Sequence, residues 1–288
     1  FHYYGVHDNT DLSRVSWRNG AYSSTELTNL YTANDLWTSR VLAELRTKVG
    51  DPGAMRALGF CVSISHADFM AQRFNSAGIV ARSVTSKTSR AEREEALSNL
   101  ASGETQILFT VDLFNEGVDV PAIDVILMLR PTESATVFLQ QLGRGLRKSE
   151  GKDVLTVLDF VGHQHQEFRF DLRYKMMLGR TRRELEEDLV HDFPFLPAGC
   201  QISLDEVSKD IVLSNVRNAL PTKWPQRIRE LKELGPVDLA TYLYETGLDL
   251  EDVYRGHHSW TELRREAGHL PEEIPAGEPQ IARGIGRL

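Results

Sequence analysis

Phe138-Leu139-Gln140-Gln141-Leu142-Gly143-Arg144-Gly145-Leu146-Arg147-Lys148 is the stretch on which the reading of this chain turns. Taken as a helix, it has two unlike faces. Gln140, Arg144 and Arg147 stand at i, i+4 and i+7 and make one polar stripe. Leu139, Leu142 and Leu146 make an apolar stripe on the other side, expected to face a sheet. Gly143 and Gly145 lie inside the helix, and each costs about 1 kcal/mol relative to alanine. The close approach of another backbone, or of a phosphate chain, is the simplest offset. Two permanently charged guanidiniums beside such an approach point to a phosphate-reading surface.

Outward from this helix the chain alternates strands and helices. Leu58 to Ile64 is a nearly continuous apolar run, as in a strand buried on both faces. A helix then runs to about Ala77, with Ser65 as its expected N-cap, and Gly78 stops it. Ile79 to Val84 is the next strand. Ser89 and Glu92 have the spacing of a capping box for a helix ending near Gly103. Gln106 to Val111, Asp124 to Leu129 and Asp153 to Asp159 supply three more strands. Strands separated by helices imply right-handed crossovers and a parallel sheet.

The flanks differ. Residues 1–50 read as a lead-in, with a short strand over Phe1 to Val6 and a helix over Tyr22 to Val49 whose apolar positions include Leu27, Leu30, Tyr31, Leu36 and Val41. Residues 51–165 hold the α/β alternation. Residues 166–220 read as a mainly helical extension, in which Phe193 to Pro197 is expected to pack down and Leu204 to Leu220 to form a helix. Residues 221–270 read as a small helical module built on Tyr242, Leu248, Val253, Trp260 and Leu263. The tail 271–288, rich in Pro and Gly, is expected to be mobile.

Bulk composition narrows the classes. At 41% hydrophobic and 26% charged the chain can bury a core while staying soluble, and no apolar run approaches membrane-spanning length. Two cysteines are too few for a disulfide framework, so a reducing, cytoplasmic compartment is expected. Cys61, within an apolar run, reads as a small core residue. A net charge of -8 argues against wholesale wrapping by nucleic acid but leaves room for a local basic groove. The start at Phe1 rather than Met is read as the mark of a piece of a longer protein.

In an open parallel sheet, ligands gather beyond the carboxyl ends of the strands. Three stretches there carry suggestive chemistry: Phe60-Cys61-Val62-Ser63-Ile64-Ser65-His66-Ala67, the loop ending Asn115-Glu116-Gly117-Val118-Asp119-Val120-Pro121, and Gln140-Gln141-Leu142-Gly143-Arg144-Gly145-Leu146-Arg147. In this order they resemble motifs IV, V and VI of the second RecA-like motor domain of superfamily 2 helicases and translocases. The last fits the pattern Q-x-x-G-R-x-x-R. Ser89 to Arg93 and Val157-Leu158-Asp159-Phe160 suit the same layout.

The resemblance implies a RecA-like parallel sheet flanked by helices and followed by a mainly helical extension. It also implies an ATP site shared with a preceding motor domain that holds the phosphate loop and the Mg²⁺-binding acidic box. Arg147 matches the arginine finger and Arg144 its partner towards the γ-phosphate. Gln140, Gly117 and Asp119 match nucleotide-binding positions, while Ser65, His66 and Thr110 are expected to face the nucleic-acid backbone, reading phosphate and not sequence. No metal site is expected on this chain itself.

One departure bears on the substrate. Many DEAD-box members have threonine where Val111 falls when Gly117 is aligned; here the threonine stands one residue earlier, at Thr110. That favours a DNA-directed motor over an RNA helicase. No G-x-x-x-x-G-K-[ST] occurs, so this chain alone is expected not to hydrolyse ATP. Asp205-Glu206 imitates an acidic box but follows motif VI, and reads as N-terminal charge on a helix. Plainer readings stand beside these: Arg144 and Arg147 as ion-paired surface residues, His66 as a polar residue at a helix start, Asp119 as a turn residue. A different class altogether is a non-catalytic nucleic-acid-binding or scaffolding protein on a degenerate motor domain.

Overall fold

The computed structural model describes residues 1–18, 20–111, 121–132, 134–165, 168–180, 182–218, 224–246, 248–254, 256 and 258–270, without the side chains at 182, 183 and 218. The described residues form two compact units, one of residues 1–168 with 188–213 and one of residues 169–187 with those from 214 onward.

In chain order the elements begin with β1 (His2–Asp11), β2 (Trp17–Arg18), β3 (Ala21–Tyr22), α1 (Ser24–Thr32) and α2 (Asp35–Lys48). Then come β4 (Ala57–Phe60), α3 (Ile64–Ser76), β5 (Ala81–Ser83), α4 (Arg90–Ser102), β6 (Ile107–Thr110), β7 (Val125–Met128), α5 (Ala135–Gly145) and β8 (Thr156–His163). After these stand α6 (Phe170–Leu178), α7 (Arg182–Val190), β9 (Gln201–Leu204), α8 (Glu206–Asn218), α9 (Trp224–Leu234), α10 (Leu239–Thr246), α11 (Leu250–Tyr254) and α12 (Trp260–Glu266).

The first unit is built on a seven-stranded sheet in the order β5-β6-β4-β7-β8-β1-β9, every pairing parallel. β4, β6 and β7 are buried along their whole length, as helices on both faces require. The capping box of α4 forms as its sequence indicates: Ser89 accepts from Glu92 N, Glu92 accepts from Ser89 N, and Gly103 closes the helix at φ +87°.

The sheet extends beyond residues 51–165. β1 lies inside it, between β8 and β9, rather than in a free lead-in. Tyr3 is fully buried and donates its hydroxyl to Asp159 Oδ2 at 2.5 Å, which fixes β1 against β8. Asp8 anchors the far end, accepting from Trp37 Nε1 at 2.8 Å and from Thr10 N at 2.8 Å. Further on, the expected helix over Leu204 to Leu220 gives up its first residue to β9. Asp205 caps α8 instead, accepting from Ser208 N at 2.8 Å, and its other oxygen takes His7 N. Asp205 therefore serves a helix start and not an acidic box.

Three local expectations are corrected. The single helix over Tyr22 to Val49 is two, because Asn34 turns its side chain onto Trp37 N and caps α2. Leu36, expected apolar and inward, is 84% exposed in that first turn. Of the Phe193 to Pro197 segment only Phe193 packs inward, while Phe195 is 77% exposed.

The second unit is helical. Leu231, Tyr242, Leu248, Val253, Leu263 and Ala267 form its core, with Trp224 and Trp260 packed against it. Its polar anchor is Arg169, which forks onto both oxygens of Asp171 at 2.7 Å and also donates to Thr246 O.

Candidate functional site

Ser65, Thr110 and Arg130 stand at the carboxyl ends of β4, β6 and β7. α5 starts beyond the carboxyl end of β7 and runs back along the sheet, so that its last turn packs beside Ile126 and Leu155 at the amino ends of β7 and β8. Ser134 caps the helix, accepting from Val137 N. Ala135, Phe138, Gln141, Leu142 and Gly145 form the inward face. The apolar stripe Leu139, Leu142, Leu146 is thereby corrected: Leu139 is half-buried, Leu146 is 51% exposed, and the buried face instead includes a polar residue, Gln141. Thr132, itself buried, lies with Oγ1 3.4 Å from Gln141 Oε1. The helix is turned on its axis relative to that expectation, with Phe138, Gln141 and Gly145 on the buried side.

Gly145 is explained by packing. A Cβ there would lie 2.3 Å from Leu155 Cδ1 and 3.1 Å from Ile126 Cδ1, so only glycine admits this close approach of helix to sheet. Gly143 faces outward, and among the described residues nothing lies within 4 Å of where its Cβ would be. Among the described residues Gly143 has no packing reason to be glycine.

Gln140 and Arg144 are half-buried on α5 beside this open position. Arg147 does not share their helical stripe. The helix ends at Gly145, Leu146 is its C-cap, and Arg147 follows in an exposed bend. The two arginines still stand at the same end of the element, one on its last turn and one just past it. Gly117 and Asp119 lie outside the described residues.

The first loop is different from its sequence reading. Ser63, not Ser65, caps α3, accepting from His66 N at 3.2 Å. Ser65 is exposed in the first turn. His66 is fully buried, packed on Tyr31 and Trp37, and burial lowers its pKa to about 3. A neutral ring sealed under α1 and α2 cannot meet a phosphate, so His66 leaves the nucleic-acid face. Thr110 is likewise fully buried, with no hydrogen-bond partner for its hydroxyl among the described residues. Of the three residues expected to contact a nucleic-acid backbone, only Ser65 is at the surface. Cys61 is core, its thiol pushed up by burial and partly offset by the charge of Arg130.

Two residues here were not singled out from sequence. Arg130 lies two residues past β7 and stands half-buried at the carboxyl edge of the sheet. Lys152 sits on the carbonyls at the end of α5. Nothing in the local pattern marked either one, since both are ordinary cations in turns. As a donor set, the surface suits a polyphosphate: guanidiniums flanking an open glycine, with no carboxylate between Phe138 and Lys148.

Residues 42–149 match the helicase conserved C-terminal domain. That segment of the chain is similar to the C-terminal domain conserved among helicases. The Saccharomyces cerevisiae protein IRC3, named as an ATP-dependent helicase, is 32% identical over 152 residues, covering 53% of this chain and 22% of that protein. The DNA 3'-5' translocase XPB2 of Sulfurisphaera tokodaii is 35% identical over 101 residues, covering 35% of this chain and 21% of its own length. Among solved structures, the yeast DEAD-box splicing factor Prp28 superposes with a TM-score of 0.48 at 16% identity, over 77% of this chain and 38% of that one. The chain thus spans about a fifth of each of these two curated relatives. Among the described residues, no helix is long and apolar enough to cross a membrane.

Proposed function

We propose that this chain is the second motor domain of an ATP-dependent DNA helicase or translocase, and that α5 and the bend after it face ATP held by a preceding motor domain. The observation that carries this is the open Gly143 beside Arg144, with Arg147 just beyond the helix end. Alanine would be the better helix former at Gly143, and a phosphate chain passing close to the helix would account for glycine there. Arg144 and Arg147 are the groups positioned to meet it. A guanidinium placed where charge spreads over the γ-phosphoryl oxygens stabilises the transition state electrostatically, and its contribution is on the order of 10³-fold or more. Mg²⁺ is assigned to the other domain; the part of this chain is the arginines.

Nucleic acid is the second ligand. Ser65 at the exposed start of α3 is the retained backbone contact, with the half-buried Arg130 nearby as the cation at the same sheet edge. The DNA translocase relative and the Val111 departure both support DNA.

The test is Arg147→Ala in the protein carrying both motor domains. Nucleic-acid-stimulated ATP hydrolysis is expected to fall to background while circular dichroism is unchanged. Turnover equal to wild type would end the arginine assignment. Binding to single- and double-stranded DNA and RNA across a salt series reads the second ligand: tighter binding to DNA with a negative log-log slope is expected.

A further inference from the structure

Lys152 lies five residues past Arg147, in the turn leading to β8. Its ammonium group spends three hydrogens on three backbone carbonyls. Nζ donates to Gly145 O at 2.5 Å, to Arg147 O at 2.9 Å and to Pro121 O at 3.2 Å. The first two carbonyls bracket Leu146, the C-cap of α5, where the negative end of the helix favours a cation. The third belongs to the residue that closes the 112–120 loop, the stretch that carries Gly117 and Asp119. One side chain therefore ties the turn bearing Arg147 to the exit of a second motif loop, 31 residues away in sequence from itself.

A helix cap needs only the bonds to Gly145 and Arg147. The bond to Pro121 adds nothing to the helix; it ties the turn after α5 to the chain leading into β7. Burial lowers the pKa of Lys152, opposed by the nearby Asp124, whose own carboxylate accepts Arg56 N at 2.7 Å. Holding a partly desolvated ammonium on carbonyls is a cost that a surface cap avoids.

We infer that Lys152 is a positioning residue for the Arg147 turn, fixing its backbone against Pro121 so that Arg147 presents to the nucleotide. The inference rests on the motor function proposed above. Lysine suits the task because its three donors radiate from a point, whereas a planar guanidinium forks in one plane.

The experiment is steady-state ATP hydrolysis, stimulated by single-stranded DNA, in the protein carrying both motor domains. For Lys152→Met, kcat is expected to fall roughly 10- to 100-fold, as for misplacement of a catalytic group by about 1 Å, with KM for ATP within about twofold of wild type. Lys152→Arg, which keeps charge and donors in a different geometry, should recover part of that loss. A merely structural cap would lower the melting temperature and leave kcat per folded molecule unchanged, and that result overturns the inference. So does an equal kcat in wild type and Lys152→Met. If Lys152→Met does not fold, Lys152→Gln, which retains two donors without the charge, is read by the same kcat and KM criteria. Arg147→Ala run alongside separates the two claims: loss there with none at Lys152 refutes the positioning role alone, and no loss at Arg147 refutes the motor reading beneath it.

Discussion

The imidazole of His66 and the ring of Tyr31 lie nearly parallel, 11° apart in plane with centroids 5.2 Å apart, and Trp37 closes over the same imidazole at 5.6 Å. This stack joins α1 and α2 to the start of α3. Val62 N donates to His66 Nδ1 at 3.3 Å, so Nδ1 must be unprotonated and the ring neutral. Adding a proton would cost that bond and place a charge in an aromatic core.

Acid sensitivity follows. The His66 pKa lies near 3 in the folded chain, lowered by burial, against about 6.5 when unfolded. A base held neutral by folding binds its proton more readily in the unfolded state. Stability from this residue is thus full above about pH 6.5 and declines as pH falls towards 3, at a limiting slope of about 1.4 kcal/mol per unit. Urea melts of wild type and His66→Gln between pH 7 and 4 check it. The variant is expected to be less stable at pH 7 but to lose less on acidification, and equal slopes would refute the argument.

Tyr3→Phe probes the docking of β1. The hydroxyl of Tyr3 supplies a hydrogen bond to an Asp159 carboxylate that is 2% exposed. Removing the donor leaves part of a buried acceptor's need unmet, a cost of about 1–3 kcal/mol. The denaturant midpoint should drop without a change in m-value. A midpoint unchanged within error would mean that β1 is held by its backbone ladder alone.

These two residues also mark the limit of what the sequence disclosed. The central strands were legible because Leu58, Ile107 to Phe109 and Val125 to Leu129 sit in apolar runs between clear helix stops such as Gly78 and Gly103. The helix-start signal at Ser89 and Glu92 was equally local. β1 was only partly legible: its His2, Gly5 and His7 interrupt the apolar pattern, and its partners Asp159 and Asp205 are more than 150 residues away. β9 gave no signal at all in four residues. His66 misled because a polar residue in the first turn of a helix is ordinarily exposed; only the position of Tyr31 and Trp37 reveals otherwise. At the site, residue types and order were visible, but the rotation of α5 was not, since Gln141 buries against Thr132 where Leu146 had the greater hydrophobicity.

In the helical unit, Asp171 is the vulnerable point. Its side chain is fully buried and takes both prongs of the Arg169 guanidinium, whose own side chain is 17% exposed. Asp171→Ala would strand that cation in a low-dielectric site, for which the cost is about 3–5 kcal/mol. Calorimetry should show a lowered transition. Replacement of both residues, Asp171→Leu with Arg169→Met, should recover much of the loss, because the penalty comes from the unpaired charge and not from the missing pair. A double variant as unstable as the single one would contradict this.

The paired glycines of α5 give opposite outcomes for the same substitution. At Gly145 an added Cβ meets Leu155 at 2.3 Å, so Gly145→Ala should destabilise the first unit by about 1–3 kcal/mol through overpacking. At Gly143 the space is open among the described residues, and alanine removes backbone freedom from the unfolded chain. Gly143→Ala should therefore stabilise by up to about 1 kcal/mol. The two melting temperatures, measured on this chain alone, separate packing from vacancy. If Gly143 is glycine because a polyphosphate approaches it, the more stable variant is also the slower one: with both motor domains present, Gly143→Ala should lower nucleic-acid-stimulated ATP turnover roughly tenfold or more, through a displacement of the order that misaligns reacting groups. A Gly143→Ala protein that melts higher and turns over ATP at the wild-type rate would show that the open face of α5 is not where the nucleotide lies.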